Sequence, residues 1–435
     1  MTAAPMSSVK GSTALIVLSL VLATAGRGVL SPLQELVSVD LRVTDNQMAL
    51  LQGLAIAAPL TLLSFPIGRL VDRANRARLL CAFALLCAAA SLFTACAHSF
   101  AQIFAARMLV GISFAGIFLS ALSLISDLSD PGTRGRLVML LFLGQVFGRA
   151  ASFATVGAIV DRLPHLLPEW AGASSVAPWR LVQVVFAVAI FGGAMLLLLL
   201  REPARRELGN APQGNLRSAL RELWGFRRLL APLLVGLATI NMADTAAEIW
   251  VVPVLTRSFH QSPADFGGWM GLVALFAGIG GSVAGGLLSD LGQRLAGRGG
   301  VLVGALLGAV LSIPGAFFPV MPGVHAFAAV LALFLASGIC TASGATAAAT
   351  VLIPNEIRGL TSSIFGAVSV VVSSGVAPLL VSYSAGAMGL GTNIAIPLTG
   401  VAVATSLIGS IAFGMAMRVA RSDPAPACAT LQTAA

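Results

Sequence analysis

At 435 residues, 57% of them hydrophobic and only 10% charged, with a mean hydropathy of +0.94, the chain lacks the polar residues needed to cover a water-soluble protein. Its apolar runs reach eighteen residues and more, which excludes a barrel of alternating segments of about ten and implies an all-α integral membrane protein. The net charge of +9 does not mark a nucleic-acid binder, because the basic residues form no stripe with interleaved aromatics.

Charged and Pro/Gly-rich punctuation divides the apolar runs into twelve segments. They are residues 12 to 39, 46 to 70, 78 to 97, 101 to 126, 137 to 160, 180 to 200, 230 to 256, 265 to 289, 300 to 318, 325 to 352, 360 to 384 and 393 to 417. Each suffices to cross a hydrocarbon core of about 30 Å at about 1.5 Å per residue. Residues 1 to 11 are polar and the run after them exceeds a signal-peptide core, so the first helix is expected to be retained. With both termini inside, the inner side collects nineteen Lys and Arg residues, the outer only Arg42, Arg162, Arg180 and Arg257. The positive-inside rule then predicts cytoplasmic termini. A single lysine against 25 arginines, with heavy Ala, Gly and Leu usage, fits a bacterium with GC-rich DNA, and the expected location is its inner membrane.

The longest inner connection, REPARRELGNAPQGNLRSALRELWGFRR, spans 201 to 228 and divides six segments from six. The expected organisation is an amino-terminal bundle over 1–200, a linker over 201–228 and a carboxy-terminal bundle over 229–435. RSALRELW has the pattern of a short amphipathic surface helix, although a simple tether is the preferred reading.

Three arginines, Arg27, Arg107 and Arg149, fall inside the apolar segments, where an arginine costs roughly 2.5 to 3.5 kcal/mol on insertion scales. In the first segment Thr24, Arg27, Ser31 and Gln34 recur at i, i+3, i+7 and i+10, one polar stripe, with Pro32 placed to kink the helix just beyond Arg27. In the fourth, Arg107 and Phe114 share a face. In the seventh, GLATINMADTAAEIWVVPVL puts Asn241, Asp244 and Glu248 at i, i+3 and i+7, followed by Trp250 and Pro253. Static ion pairs that fix helix packing are the bland account of these charges. Buried pairs stabilise poorly relative to apolar replacements, so their retention leans toward function. The small-residue face of the tenth segment, ASGICTASGATAAAT, fits close helix packing better than ligand contact.

The five cysteines (81, 87, 96, 340 and 428) have no CxxC spacing and the four histidines are scattered, so no metal site, disulfide framework or cofactor is expected. Membrane enzymes gather His, Asp or Ser chemistry at one depth, and no such constellation appears. The expectation is that the protein is not an enzyme.

The chain also repeats itself at half its length. FPIGRLVDRANRAR after the second segment is echoed by VAGGLLSDLGQRLAGR after the eighth, with Gly68 on Gly286 and Asp72 on Asp290. DPGTRGRL after the fourth is echoed by PNEIRGLT after the tenth, with Arg134 on Arg358. Two halves in one orientation follow. Gly68 is expected to let helices approach closely, Asp72 to end its span near a helix terminus, and Arg73, Arg76 and Arg78 to pair with carboxylates across the inner face as a latch.

G68-R-L-V-D72-R73-A-N75-R76-A-R78 resembles the loop signature of the major facilitator superfamily, Gly-x-Leu-x-Asp-Arg-x-Gly-Arg-Arg/Lys, with Asn75 in place of the usual glycine. Within it the chain is most similar to the spinster-like branch, through GRGVLSPL, TDNQMALLQGLAIA, ARMLVGISFAG, RGRL, PWRLV and REPARRE, and more weakly through IWVVPVLTR and PNEIRG. The resemblance implies a major facilitator fold of two six-helix bundles, monomeric, working by alternating access around a cavity lined by helices one, four, seven and ten. In spinster-like proteins an Asp-Arg pair in helix one and an Arg plus a Glu in helix four form a cluster tied to proton coupling. Here both arginines remain, but Gly26 stands at the Asp position and Phe114 at the Glu position. Gly144, Gly148 and Gly157 resemble the glycine-rich fifth helix of antiporters, without that motif's proline.

The expected function is a secondary active transporter, proton-coupled, carrying an amphipathic organic anion such as a lysolipid or sphingoid-like lipid; a small organic acid carrier or a drug or metabolite exporter is the alternative. Arg27, Arg107, Thr24, Ser31, Phe114, Asn241 and Trp250 are the expected substrate contacts, with Arg149 an intramembrane charge partner. Asp244 and Glu248 either carry protons or neutralise the arginines. Gly68, Asp72, Arg73, Arg76, Asp290, Arg134 and Arg358 are the expected cytoplasmic gate. A channel is the rival from another class.

Overall fold

The computed structural model describes residues 6–130, 133–166, 177–203, 223–353, 355–390 and 393–422. Among them are twelve helices long and apolar enough to cross a membrane: α1 Val9–Leu41, α2 Asp45–Arg73, α3 Arg76–Ala95, α4 Phe100–Leu128, α5 Arg134–Arg162, α6 Pro178–Leu199, α7 Arg227–Ser258, α8 Pro263–Ala296, α9 Arg298–Val320, α10 Val324–Leu352, α11 Ser363–Ala387 and α12 Ala395–Ser422. The edges lie close to those read from hydropathy, except that α8 runs well past residue 289. Asp290 therefore sits inside a helix, unlike Asp72 one residue from the end of α2, so the two echoed aspartates do not share a helix-end role. Residues 204–222, most of the linker and of RSALRELW, lie outside the described residues.

Side-chain caps start several helices. Thr44 and Gln47 form a reciprocal capping box at α2, Ser262 and Asp265 another at α8, and Ser99 caps α4. Asn75, the departure from the family signature, accepts from the Arg78 amide at 2.8 Å and so caps α3, a bond a glycine could not supply.

Prolines interrupt the helices in a consistent way. A proline lacks the N–H that would reach the carbonyl four residues back and crowds that carbonyl. In α1 the irregular residue is Val29, where Pro32 displaces the carbonyl of Gly28. The end of α7 changes from α-helix to a wider π turn over Val254–Ser258 directly after Pro253.

The packing order is the same in both halves. In the first, α1 packs on α4, α5 and α6, α2 on α4, and α3 on α4 and α6. In the second, α7 packs on α10, α11 and α12, α8 on α10, and α9 on α10 and α12. The halves meet through α5 on α8, α2 on α11, and the end of α1 on α7, so the inter-half seams obey the same exchange. Lipid tails are as apolar as leucine, so such seams depend on close packing and hydrogen bonds. Gly157 of α5 and Gly267 of α8 supply the first: a Cβ on either would overlap the other's backbone. At the α2–α11 seam a Cβ on Gly53 would overlap the carbonyl of Ser374, and α2 is interrupted there.

Candidate functional site

The charged residues of the apolar segments converge where α1, α4, α5 and α7 meet. Arg149 Nε of α5 lies 3.6 Å from Glu248 Oε1 of α7, an ion pair joining the two halves. The Arg27 guanidinium lies over the Phe114 ring, 4.8 Å from its centroid. Arg107 is 2% exposed; its Nη2 donates to the backbone carbonyl of Arg27 at 2.9 Å, while its Nε finds no partner. Three arginines here face two carboxylates, so with all five ionised one positive charge is uncompensated.

Asp244 stands one turn before Glu248, and its Oδ1 is shielded from solvent without a hydrogen bond. Its carboxylate rests on Gly338 of α10, where any Cβ would overlap it. Gly344 packs on the α9 backbone. The small face of α10 is thus a packing surface, as its sequence suggests, and one of its glycines seats an acid.

Beside the Arg149–Glu248 pair opens an apolar pocket between α5, α7, α8 and α10. Phe153, Val251, Met270, Leu331 and Leu335 line it, and it is narrow.

The polar stripe of α1 does not line a cavity as a whole. Thr24 is buried beside Gly148 of α5. Ser31 Oγ donates to the Glu248 carbonyl at 3.0 Å, and Gln34 Nε2 donates to that of Ile249 at 2.9 Å. The Ile249 carbonyl is the one Pro253 leaves without its helical donor. Gln34 is fully buried and accepts in turn from Gln52 of α2. Ser31 and Gln34 therefore sew α1 to α7, and of the four only Arg27 remains among the charged groups. Trp250 is also corrected: it is 0% exposed, packed in the core of the second half, and its Nε1 donates to the Pro378 carbonyl at 3.1 Å. Asn241 stays half-buried on α7. Gly26 faces Ile190 of α6 and Ser91 of α3, whose atoms occupy the space beyond its Cα.

Beyond Ser31 and Gln34 the seam ends in a cluster that hydropathy did not single out. Arg257, in the π turn of α7, donates to Glu35 of α1 at 3.2 and 2.9 Å and to Asp45 of α2 at 2.8 and 2.7 Å. In the sequence it reads as one of four outer arginines. The available signal was the presence of two acids, Glu35 and Asp45, on either side of the connection between α1 and α2 at the same end of the molecule. Nearby, Arg180 Nη2 and Trp179 Nε1, from PWRLV, donate to Asp40 at 3.0 and 3.1 Å, tying α6 to α1.

At the opposite end, the signature residues divide. Arg76 is 3% exposed and pairs with Asp127 of α4 and, through Nε at 2.8 Å, with Glu202 after α6. Glu202 also accepts from the Ala77 amide at 2.8 Å. Arg76 thus pairs within the first half instead of across the face. Asp72, Arg73 and Asp290 are exposed. A Cβ at Gly68 or Gly286 would meet nothing within 4 Å, so the close approach expected at Gly68 is not made in this conformation. Arg134 donates to the Ser126 carbonyl at 3.4 Å, and the Arg358 side chain lies outside the described residues.

Twelve apolar helices in two alike halves, with charges gathered between them, define a membrane transporter of the two-bundle type. The chain belongs to the Major Facilitator Superfamily, whose family model matches residues 16–378. Two solved structures of a bacterial homologue of the human lysosomal transporter Spinster, both inward-facing, share its fold. The unoccupied one has a TM-score of 0.80 at 20% identity, covering 96% of this chain and 98% of that one. The occupied one has a TM-score of 0.81 at 19% identity, covering 97% and 98%. A D-xylose-proton symporter matches with a TM-score of 0.67 at 14% identity over 92% and 97%. No curated protein sequence matches the chain.

Proposed function

We propose that the protein is a proton-coupled carrier of an amphipathic organic anion, a single-chain lipid of the lysolipid type or a sphingoid-like lipid, working by alternating access in the inner membrane with both termini cytoplasmic. The observation that carries this reading is the excess of arginine charge in the cluster of Arg27, Arg107 and Arg149, whose Arg149–Glu248 pair borders an apolar pocket. An anionic head balances the charge, and the apolar lining of the pocket matches the chemistry of an alkyl tail. A small organic acid would satisfy the arginines but leave the pocket unused. The structural relatives, a homologue of a lysosomal transporter and a proton symporter, agree with solute carriage and with proton coupling.

The conformation supports a state closed at the periplasmic end. Ser31, Gln34, the Arg257 cluster and the Gly53–Ser374 contact hold the halves together there, while Gly68 and Gly286 stand open at the cytoplasmic end.

Thermal-shift titration of the purified protein with lysophosphatidylglycerol, with citrate and benzoate as short-acid controls, tests the cargo. Stabilisation by the lysolipid that is lost in Arg27→Gln is the expected result. Stabilisation by the short acids alone, or an unchanged shift in Arg27→Gln, overturns it.

A further inference from the structure

Two carboxylates stand one helical turn apart on α7, and their surroundings divide them. Glu248 faces a cation: Arg149 Nε is 3.6 Å away, with Arg27 as a further positive neighbour. Among the described residues Asp244 has no cation within ion-pairing distance, and its Oδ1 is shielded and unbonded. Its carboxylate lies against the α carbon of Gly338, a contact that only glycine permits.

The charged groups that act on Asp244 are Arg149 from α5 and Glu248 from its own helix. From α1, which also packs on α7, Arg27 acts on the neighbouring Glu248; among the described residues the other elements packed on α7 place no charged side chain beside Asp244. In α10 the ionisable side chains are His325, at its far end, and Cys340, whose thiol donates to the Gly304 carbonyl on α9. In α11 the ionisable side chain is the exposed Tyr383, and in α12 they are Arg418 and Arg421 in its last turns.

We infer that Asp244 is the residue that takes up and releases the coupling proton, with Gly338 as its seat, while Glu248 stays ionised as the partner of Arg149. The assignment rests on the proton-coupled reading above and divides between the two acids a role that their sequence leaves shared. A shielded carboxyl oxygen without a donor favours the neutral acid, whereas a carboxylate facing a guanidinium favours the anion. Protonated, Asp244 fits against the apolar α10 face. Ionised, it must turn from Gly338 toward Arg149 or water, so proton release loosens α7 from α10. When an anionic substrate draws Arg149 away, Glu248 remains charged beside Asp244 and favours proton uptake there. That links the two cargoes.

Infrared difference spectra of the purified protein between acid and alkaline pH test the assignment without any substrate. The carbonyl band of a protonated side-chain carboxyl, shifted in deuterium oxide, should vanish in Asp244→Asn and persist in Glu248→Gln. The opposite pattern, or a band that survives in both variants, overturns it. Gly338→Ala displaces the carboxylate from its seat and should move the band's titration about one pH unit toward acid; an unmoved titration removes Gly338 from the proposal. It also gives a readout if Asp244→Asn fails to fold. Proteoliposomes with labelled lysophosphatidylglycerol supply the coupling arm. Asp244→Asn should keep exchange of label across the membrane but lose accumulation driven by a pH gradient, and retained accumulation sinks the inference. A wild-type protein that moves no label, yet shows the Asp244 band, overturns the cargo reading and leaves the protonation site standing.

Discussion

The Arg27 guanidinium lies over the Phe114 ring at 4.8 Å, a cation held by an aromatic face where the spinster-like pattern has a carboxylate. A ring contributes up to about 2 kcal/mol to such a cation when it is desolvated and leaves its charge intact, whereas a carboxylate would neutralise it. Phe114→Glu should therefore weaken lysophosphatidylglycerol binding at least about tenfold, or about 1.4 kcal/mol. Phe114→Leu, which removes only the ring, should weaken it a few-fold. Titration by thermal shift distinguishes them, and a Phe114→Glu variant that binds as tightly as the wild type rules out Arg27 as the anion contact.

What the sequence made legible follows from physical cost. Long apolar runs have one solution in a bilayer, so twelve helices and their half-chain repeat could be read directly. Arg27, Arg149, Asp244 and Glu248 stood out because charges inside such runs are expensive, and the structure brings Arg149 and Glu248 together. Roles set by tertiary partners were not legible. Ser31 and Gln34 looked like cavity lining because their spacing puts them on one face, but spacing does not reveal that carbonyls of α7 lie opposite. Trp250 followed two acids in a polar segment, yet its own position turns into the core. Arg257 read as orientation charge because its acids belong to other helices.

The Arg257 cluster is a forked, charge-assisted contact between the halves. A forked guanidinium that serves two carboxylates gives charge-assisted bonds, and breaking such a partly buried set costs on the order of 2–5 kcal/mol. Arg257→Gln should shift the resting population toward a state open at the end carrying Arg257, by roughly tenfold or more. The measurement is alkylation of Ser31→Cys in a cysteine-free background. Ser31 is now 5% exposed, and its cysteine should label faster when Arg257 is removed. Equal labelling rates would show that the cluster does not hold this end shut.

Arg76, Asp127 and Glu202 test a different principle, since their side chains are 3%, 8% and 25% exposed and belong to one half. Removing one member of a buried pair strands the other, at a cost of about 3–5 kcal/mol. Arg76→Met should lower the melting temperature markedly, and Arg76→Met with Asp127→Leu should recover much of the loss. A double variant no more stable than Arg76→Met would mean that the network, including Glu202, which accepts from the first turn of α3, acts as a unit and not as a pair.

Gly68 separates a structural glycine from one needed by another state. A side chain here would meet nothing within 4 Å, so Gly68→Leu should leave the melting temperature within the small range expected of open sites, about 0.5 kcal/mol. The same holds for Gly286→Leu. If the end carrying Gly68 closes during the cycle, the added side chain obstructs that closure. Uptake into proteoliposomes should then fall severalfold while lysophosphatidylglycerol binding persists. Stability loss without ligand would mean that α2 is packed here in solution after all. Full transport by both variants would mean that neither glycine forms a close contact in any state of the cycle, leaving Asp72 and its neighbours to act through charge alone.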